Sequence, residues 1–261
     1  MIGAIAGDLI GSVYEPAPIK TTDFPLFQPR SRFTDDSVLT VAMADAILTG
    51  QPYRDAVQDW GHRYPRAGYG GTFFQWLFAA DPQPYHSWGN GAAMRVSPVG
   101  WAFASEGEVL RQAQMSAAIT HDHPEGIKGA QATALAVYLA RTDASKATIR
   151  ARIQTQFGYD LTGTVDTLRP GYTFDVSCQG TVPAALIAFF DAESYEDAVR
   201  NAVSLGGDSD TLACIAGGIA AAFYGGVPDP IRAEVRVRLP PDLWRVVEVF
   251  ERRYGSAQEK P

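Results

Sequence analysis

Residues 212–224, LACIAGGIAAAFY, are apolar on every face of a helical wheel. A soluble chain must bury such a helix on all sides, so this one has to supply enough partners to surround it. Strands are poor candidates for that task. Period-2 alternation with β-branched or aromatic enrichment is scarce, and glycine and proline fill the connections. Helical spacing recurs instead. Val38, Val41, Ala42 and Leu48 form a stripe closed by Gly50, and Ser194 reads as an N-cap followed by Glu196 and Asp197. Ala198, Val199, Ala202 and Val203 continue that helix towards Gly206. Residues 131–140 and 181–190 read as further buried helices, the latter with Pro183 in its first turn. Residues 243–253 read as an amphipathic helix that turns Trp244, Val247 and Phe250 inward. The expected fold is all-α, a large multi-helix assembly with two layers around central helices.

A chain of 261 residues can bury its own core, and no linker or internal repeat divides it. One domain over residues 1–261 is expected, with 255–261 as a loose tail. Cys178 and Cys214 stand apart from any Cys/His cluster, which excludes a disulfide scaffold or zinc ribbon and fits a reducing cytoplasm. With 22 Lys+Arg against 29 Asp+Glu the net charge is −7, which disfavours general nucleic-acid binding. Residues 212–227 are uncharged but short and broken by glycines, so no membrane span is expected. Residues 1–10 lack a basic start and carry Asp8 inside their apolar run, which argues against a signal peptide. A cytoplasmic monomer without a membrane partner is the expectation.

Two segments place bare carboxylates and hydroxyls at helix starts: Thr34, Asp35, Asp36, Ser37, and then Asp208, Ser209, Asp210, Thr211 after a glycine pair. One reading is helix capping. The other is an oxygen-rich site for magnesium or manganese, because Asp208 and Asp210 would straddle the helix start, one in the cap and one in the first turn. Gly3, Gly7 and Gly11 fit either a weak phosphate loop or close helix packing. Glu15, before a proline, reads as a solvated loop carboxylate or as a movable ligand and proton carrier. The glycine-rich turns at 68–71 and 89–91 feed helix starts, as phosphate cradles and ordinary turns both do. His121, Asp122 and His123 suggest a His-Asp metal phosphohydrolase, but Pro124 and Gly126 place them in a loop, where hydrogen bonding suffices. Tyr172 and Phe174 could stack on a base or belong to the core.

The succession GDLIGSVYE, FTDDS, GYGG, GNGAAMR, THDHP, TVPAAL and GGDSDT resembles the ADP-ribosylglycohydrolase family over residues 3–226. That resemblance implies a compact all-helical protein with two divalent cations, Mg2+ or Mn2+, in a cleft that binds ADP-ribose. Thr34, Asp35, Asp36, Asp208, Asp210 and Thr211 would be the metal ligands. Glu15, Asp35 and Asp36 would serve catalysis, one of them passing a proton to the leaving group. Gly68, Tyr69, Gly70 and Gly71, together with Gly89, Asn90, Gly91 and Arg95, would line the phosphate and distal-ribose pocket. His121 would contact the ribose or diphosphate, and Glu15, Tyr172 and Ser209 would join the substrate-binding set.

The implied enzyme is a metal-dependent ADP-ribosylglycohydrolase that releases ADP-ribose from a modified protein or from O-acetyl-ADP-ribose. The GSVYE ending is closer to the serine and O-acetyl-ADP-ribose type than to the arginine type. Two other readings stay open at this point. One is a non-catalytic ADP-ribose-binding module, and the other is a His-Asp phosphohydrolase with His121 and Asp122 as ligands.

Overall fold

Helices closed by short polar caps fill residues 1–255, the part described by this computed structural model. In order they are α1 Ile2–Gly11, α2 Asp35–Thr49, α3 Tyr53–Arg63, α4 Gly71–Leu77, α5 Gly91–Met94, α6 Ser97–Ala102, α7 Glu106–Ala118 and α8 Pro124–Arg141. They continue as α9 Lys146–Phe157, α10 Val165–Leu168, α11 Cys178–Asp191, α12 Tyr195–Ser204, α13 Ser209–Phe223, α14 Asp229–Arg238 and α15 Pro241–Tyr254. Thr34, Ser105, Ser145, Ser177 and Ser194 each cap a helix by accepting a backbone N–H from its first turn. Among the described residues there is no strand, and one antiparallel bridge, Gly89 to Ser177, ties two loops together. The all-α expectation holds. No helix among these residues is long and apolar enough to cross a membrane.

The all-round apolar run is the centre of the molecule. Every residue of α13 from Ser209 to Ala222 is buried, and α1, α8, α11 and α12 surround it. α1 is buried along its whole length and runs antiparallel to α13 in direct backbone contact. Glycine spacing makes this possible. A Cβ on Gly217 would lie 2.5 Å from the Gly3 carbonyl oxygen, one on Gly11 would lie 2.5 Å from the Asp210 Cα, and one on Gly7 would enter the Ala213 carbonyl. The stripe of Gly3, Gly7 and Gly11 is therefore a helix-packing face and not a phosphate loop. Because the crossing is antiparallel, the C-terminal end of α1 and the loop carrying Glu15 arrive beside the start of α13.

A direct consequence is that Gly7→Ala should cost about 3 kcal/mol by overpacking, read by urea unfolding. Gly107→Ala, at an exposed position where a Cβ meets nothing within 4 Å, should cost nothing.

Several boundaries differ from the sequence expectation. Residues 131–140 are the second half of α8, which starts at Pro124 with His123 as its cap. His121, Asp122 and His123 lie in the loop before it, as expected, while Pro124 itself opens the helix, where its missing N–H has no helical partner. The Ser194 helix ends at Ser204, before Gly206. Of the expected loose tail, Gly255 caps α15 and residues 256–261 lie outside the described part.

Candidate active site

The two acidic helix starts meet. Thr34 caps α2 by accepting from the Asp36 N–H at 3.3 Å, so the capping reading holds there. Asp208 occupies the N-cap position of α13 without making a side-chain cap, and its Oδ2 accepts from Asn90 Nδ2 at 2.8 Å instead. Asp210 lies in the first turn, as the spacing predicts. The Thr211 hydroxyl donates to Asp36 Oδ1 at 3.4 Å and links the two segments across 175 residues of chain. Glu15, Asp208 and Asp210 each offer a carboxylate oxygen, and these oxygens lie within 4.8 Å of one another.

Asp8 organises this meeting, and the sequence reading used it only against a signal peptide. Fully buried on α1, its carboxylate accepts from the Thr34 N–H at 2.9 Å, the Thr34 hydroxyl at 2.7 Å, the Ser37 N–H at 3.1 Å and the Ser37 hydroxyl. Four donors on one carboxylate fix the first turn of α2 and so the direction of Asp35 and Asp36. The available signal was a single carboxylate in an otherwise apolar helix, since such a group is buried only when satisfied.

Burial dominates the electrostatics. It pushes Asp8 up to about 6 despite its four donors, and Asp35 up to about 8, where repulsion from Asp8, Asp208 and Glu15 adds to it. Asp36 and Asp210 are driven well above the usual carboxylate range by burial and then by their acidic neighbours. Glu15 is raised by burial first and by Asp208 second. Asp36 Oδ2 is buried without a hydrogen-bond partner among the described residues. An orphaned oxygen inside a crowd of mutually repelling carboxylates suits a divalent cation that prefers oxygen ligands.

The pH dependence follows from these directions. Carboxylates whose folded pKa exceeds the unfolded value stabilise fully below the unfolded value, and that stability is lost as pH rises through the folded one. In EDTA, stability should fall between about pH 4 and the folded value of about 8 for Asp35. A bound cation favours the ionised forms and opposes that loss. The gain in melting temperature on adding Mg2+ should therefore be larger at pH 8 than at pH 5.5 in scanning fluorimetry.

The carboxylates line one end of a cavity of about 640 Å3, a volume suited to a nucleotide-sized ligand. Gly68, Gly70 and Gly71 line it, as do Gly89, Asn90, Gly91, Arg95 and His121, with Thr34, Asp35, Asp36 and Thr211 at the acidic end. Three expected residues stand behind the wall. Tyr69 stacks on Phe73, with ring centroids 5.3 Å apart. Tyr172 packs beneath Gly207 with its hydroxyl donating to the Gly180 carbonyl at 3.3 Å. Ser209 is fully buried and donates to the Gly207 carbonyl at 3.2 Å. The aromatic surface belongs instead to Phe73, Tyr85, Trp88 and Phe174. Trp88 and Phe174 are 54% and 57% exposed at its rim, and only Phe174 figured in the sequence reading.

Arg32 also lines the cavity and was missed, because nothing local marks a loop arginine. The His-Asp reading fails on geometry. Asp122 Oδ1 accepts from the His86 N–H at 2.7 Å, and His123 Nδ1 accepts from the Glu125 N–H at 3.1 Å. Neither joins His121 in a group that could hold a metal among the described residues.

The family model of ADP-ribosylglycohydrolase matches residues 1–259. The chain belongs to that family. Similar proteins include the ADP-ribosylhydrolase ARH3 of Danio rerio, 26% identical over 305 residues, covering 86% of this chain and 81% of that protein. The Homo sapiens ARH3 is 26% identical over 307 residues, covering 86% and 84%. The ADP-ribosylarginine hydrolase Tri1 of Pseudomonas putida (strain GB-1) is 23% identical over 274 residues, covering 86% and 69%. Among solved structures, an ADP-ribosylglycohydrolase-related protein complex superposes with a TM-score of 0.75 at 25% identity, over 97% of this chain and 95% of that one. As a member of the ADP-ribosylglycohydrolase family this chain is a glycosyl hydrolase, and its carboxylate cluster can hold a metal.

Proposed function

We propose that the chain removes ADP-ribose from a modified side chain or from O-acetyl-ADP-ribose by hydrolysis, with two Mg2+ or Mn2+ ions held by Thr34, Asp35, Asp36, Asp208, Asp210 and Thr211. The carrying observation is the convergence of Glu15, Asp208 and Asp210 at ligand spacing at one end of a nucleotide-sized cavity. Bound there, divalent cations would supply Lewis acidity and offset most, but not all, of the cluster's negative charge. The chain's own residues do the rest. Asp8 holds the first turn of α2 so that Asp35 and Asp36 face the cavity, and Asn90 orients Asp208. Glu15, on a loop rather than a helix start and raised above its ordinary value by burial and then by Asp208, is the carboxyl placed to pass a proton to the leaving-group atom. Negative charge around the anomeric carbon stabilises its oxocarbenium-like transition state. Gly89 to Gly91 and Gly68 to Gly71 present backbone to the diphosphate and ribose, while Trp88 and Phe174 offer ring faces to the base.

One large hydrophobic cluster draws residues from α1 through α15, which supports a single domain. The acceptor is the finer question. The relatives include a protein named for ADP-ribosylarginine, and the GSVYE motif favours serine or O-acetyl-ADP-ribose. Incubation with ADP-ribosyl-serine, ADP-ribosyl-arginine and O-acetyl-ADP-ribose separates them, with faster release from the serine or acetyl substrate as the expected order. Tight ADP-ribose binding in calorimetry with no release from any of the three would leave only the binding-module reading.

A further inference from the structure

Arg95 carries the largest fully buried side chain among the described residues, and burial lowers its pKa to about 10. Its Nη2 donates to the Ser116 carbonyl at 2.8 Å and to the Thr120 hydroxyl oxygen at 2.9 Å. A guanidinium can only donate, so Thr120 Oγ1 must accept from it. Thr120 has one hydrogen left to place. His121 Nδ1 lies 2.6 Å from that oxygen, and among the described residues the hydroxyl has no other hydrogen-bond acceptor. Thr120 is fully buried, so no solvent route to another partner exists. If Nδ1 carried the hydrogen, the Thr120 hydroxyl hydrogen would be stranded in the interior.

We propose that Arg95 and Thr120 are positioning residues for His121: the donor chain from guanidinium to hydroxyl to Nδ1 fixes the ring as the neutral tautomer with its hydrogen on Nε2, presented to the cavity. Two further observations agree. Burial and the Arg95 charge hold His121 well below the usual imidazole range, so the doubly protonated ring is disfavoured. A Cβ on Gly89 or Gly91 would come within 3.4 or 3.2 Å of Nε2, so these glycines leave the nitrogen uncovered where His121 lines the cavity. The result is a fixed, uncharged N–H donor facing an oxygen of the ligand. That the ligand is ADP-ribose rests on the function proposed above.

The tautomer can be read without ligand or activity, in a long-range 1H–15N spectrum of 15N-histidine protein. The His121 signal is assigned by its loss in His121→Gln. The expected wild-type pattern has Nε2 protonated and Nδ1 bare. Thr120→Val should convert part or all of the signal to the Nδ1-protonated form and raise the ADP-ribose Kd about tenfold, and Thr120→Ser should restore both. A wild-type ring protonated on Nδ1 overturns the relay, and that spectrum needs no variant to fold. An unchanged tautomer in Thr120→Val overturns it too. The expected tautomers with no ADP-ribose binding in calorimetry would leave the relay standing and count against the proposed ligand alone.

Discussion

Asp210→Ala is expected to abolish measurable turnover, a loss of at least about a thousandfold in kcat, or about 4 kcal/mol of transition-state stabilisation. Asp210 belongs to the group of three carboxylates at ligand spacing, and its loss leaves two of them. The same position predicts an opposite effect on stability. Asp210 is driven well above the usual carboxylate range by burial and by Asp36 and Asp208. In EDTA at pH 8, the neutral isostere Asp210→Asn should therefore melt higher than wild type, by about 3–6 °C for about one to two kcal/mol of relieved burial cost and repulsion. With Mg2+ present the order should reverse, because only the wild type gains binding energy from the cation. A residue required for structure alone would lower stability in both conditions, so paired melting curves separate the two roles.

Asp8→Ala should be the most damaging substitution at a residue that does not line the cavity. Its carboxylate satisfies two backbone N–H groups and two hydroxyls, all buried, and alanine would leave every one of them without its partner. Unsatisfied buried donors cost about 1–3 kcal/mol each before relaxation, so a net loss of about 4 kcal/mol is expected. Activity should fall with it, by about a hundredfold, because the first turn of α2 sets where Asp35 and Asp36 point. Asp8→Asn tests the charge separately. The amide keeps one acceptor oxygen but brings two donors to a site already full of donors, so it should recover less than half of the lost stability. Urea unfolding gives the first quantity and steady-state kinetics with Mg2+ the second. A variant with wild-type stability would remove Asp8 from its organising role.

What the sequence made legible follows from the range of the interactions involved. The caps at Thr34 and Ser194, the first-turn acids and the apolar α13 are local signals, readable because a cap and its helix lie within four residues. α9 is hard to read locally, since its apolar stripe of Ile149, Ile153 and Phe157 is one residue wide among charged and polar neighbours. The bond between Thr211 and Asp36 and the bond between Asn90 and Asp208 join segments more than a hundred residues apart, and no local pattern encodes them. The order of motifs along the chain carried that information instead. Asp8 was visible as an anomaly, but its four donors come from the start of α2, so its purpose became readable only in three dimensions. Tyr172 was misplaced for a related reason: an aromatic close to the site in sequence lies behind Gly207, while Trp88 and Phe174, from two loops joined by the Gly89 to Ser177 bridge, reach the rim.

The central claim is that paired acidic helix starts hold divalent cations that hydrolysis requires. Its most direct test is the rate of free ADP-ribose release from the preferred substrate by protein stripped with EDTA, before and after Mg2+ or Mn2+ is restored. The rate should fall at least about a hundredfold in the stripped protein and recover fully with either cation. Equal rates in all three conditions would contradict it.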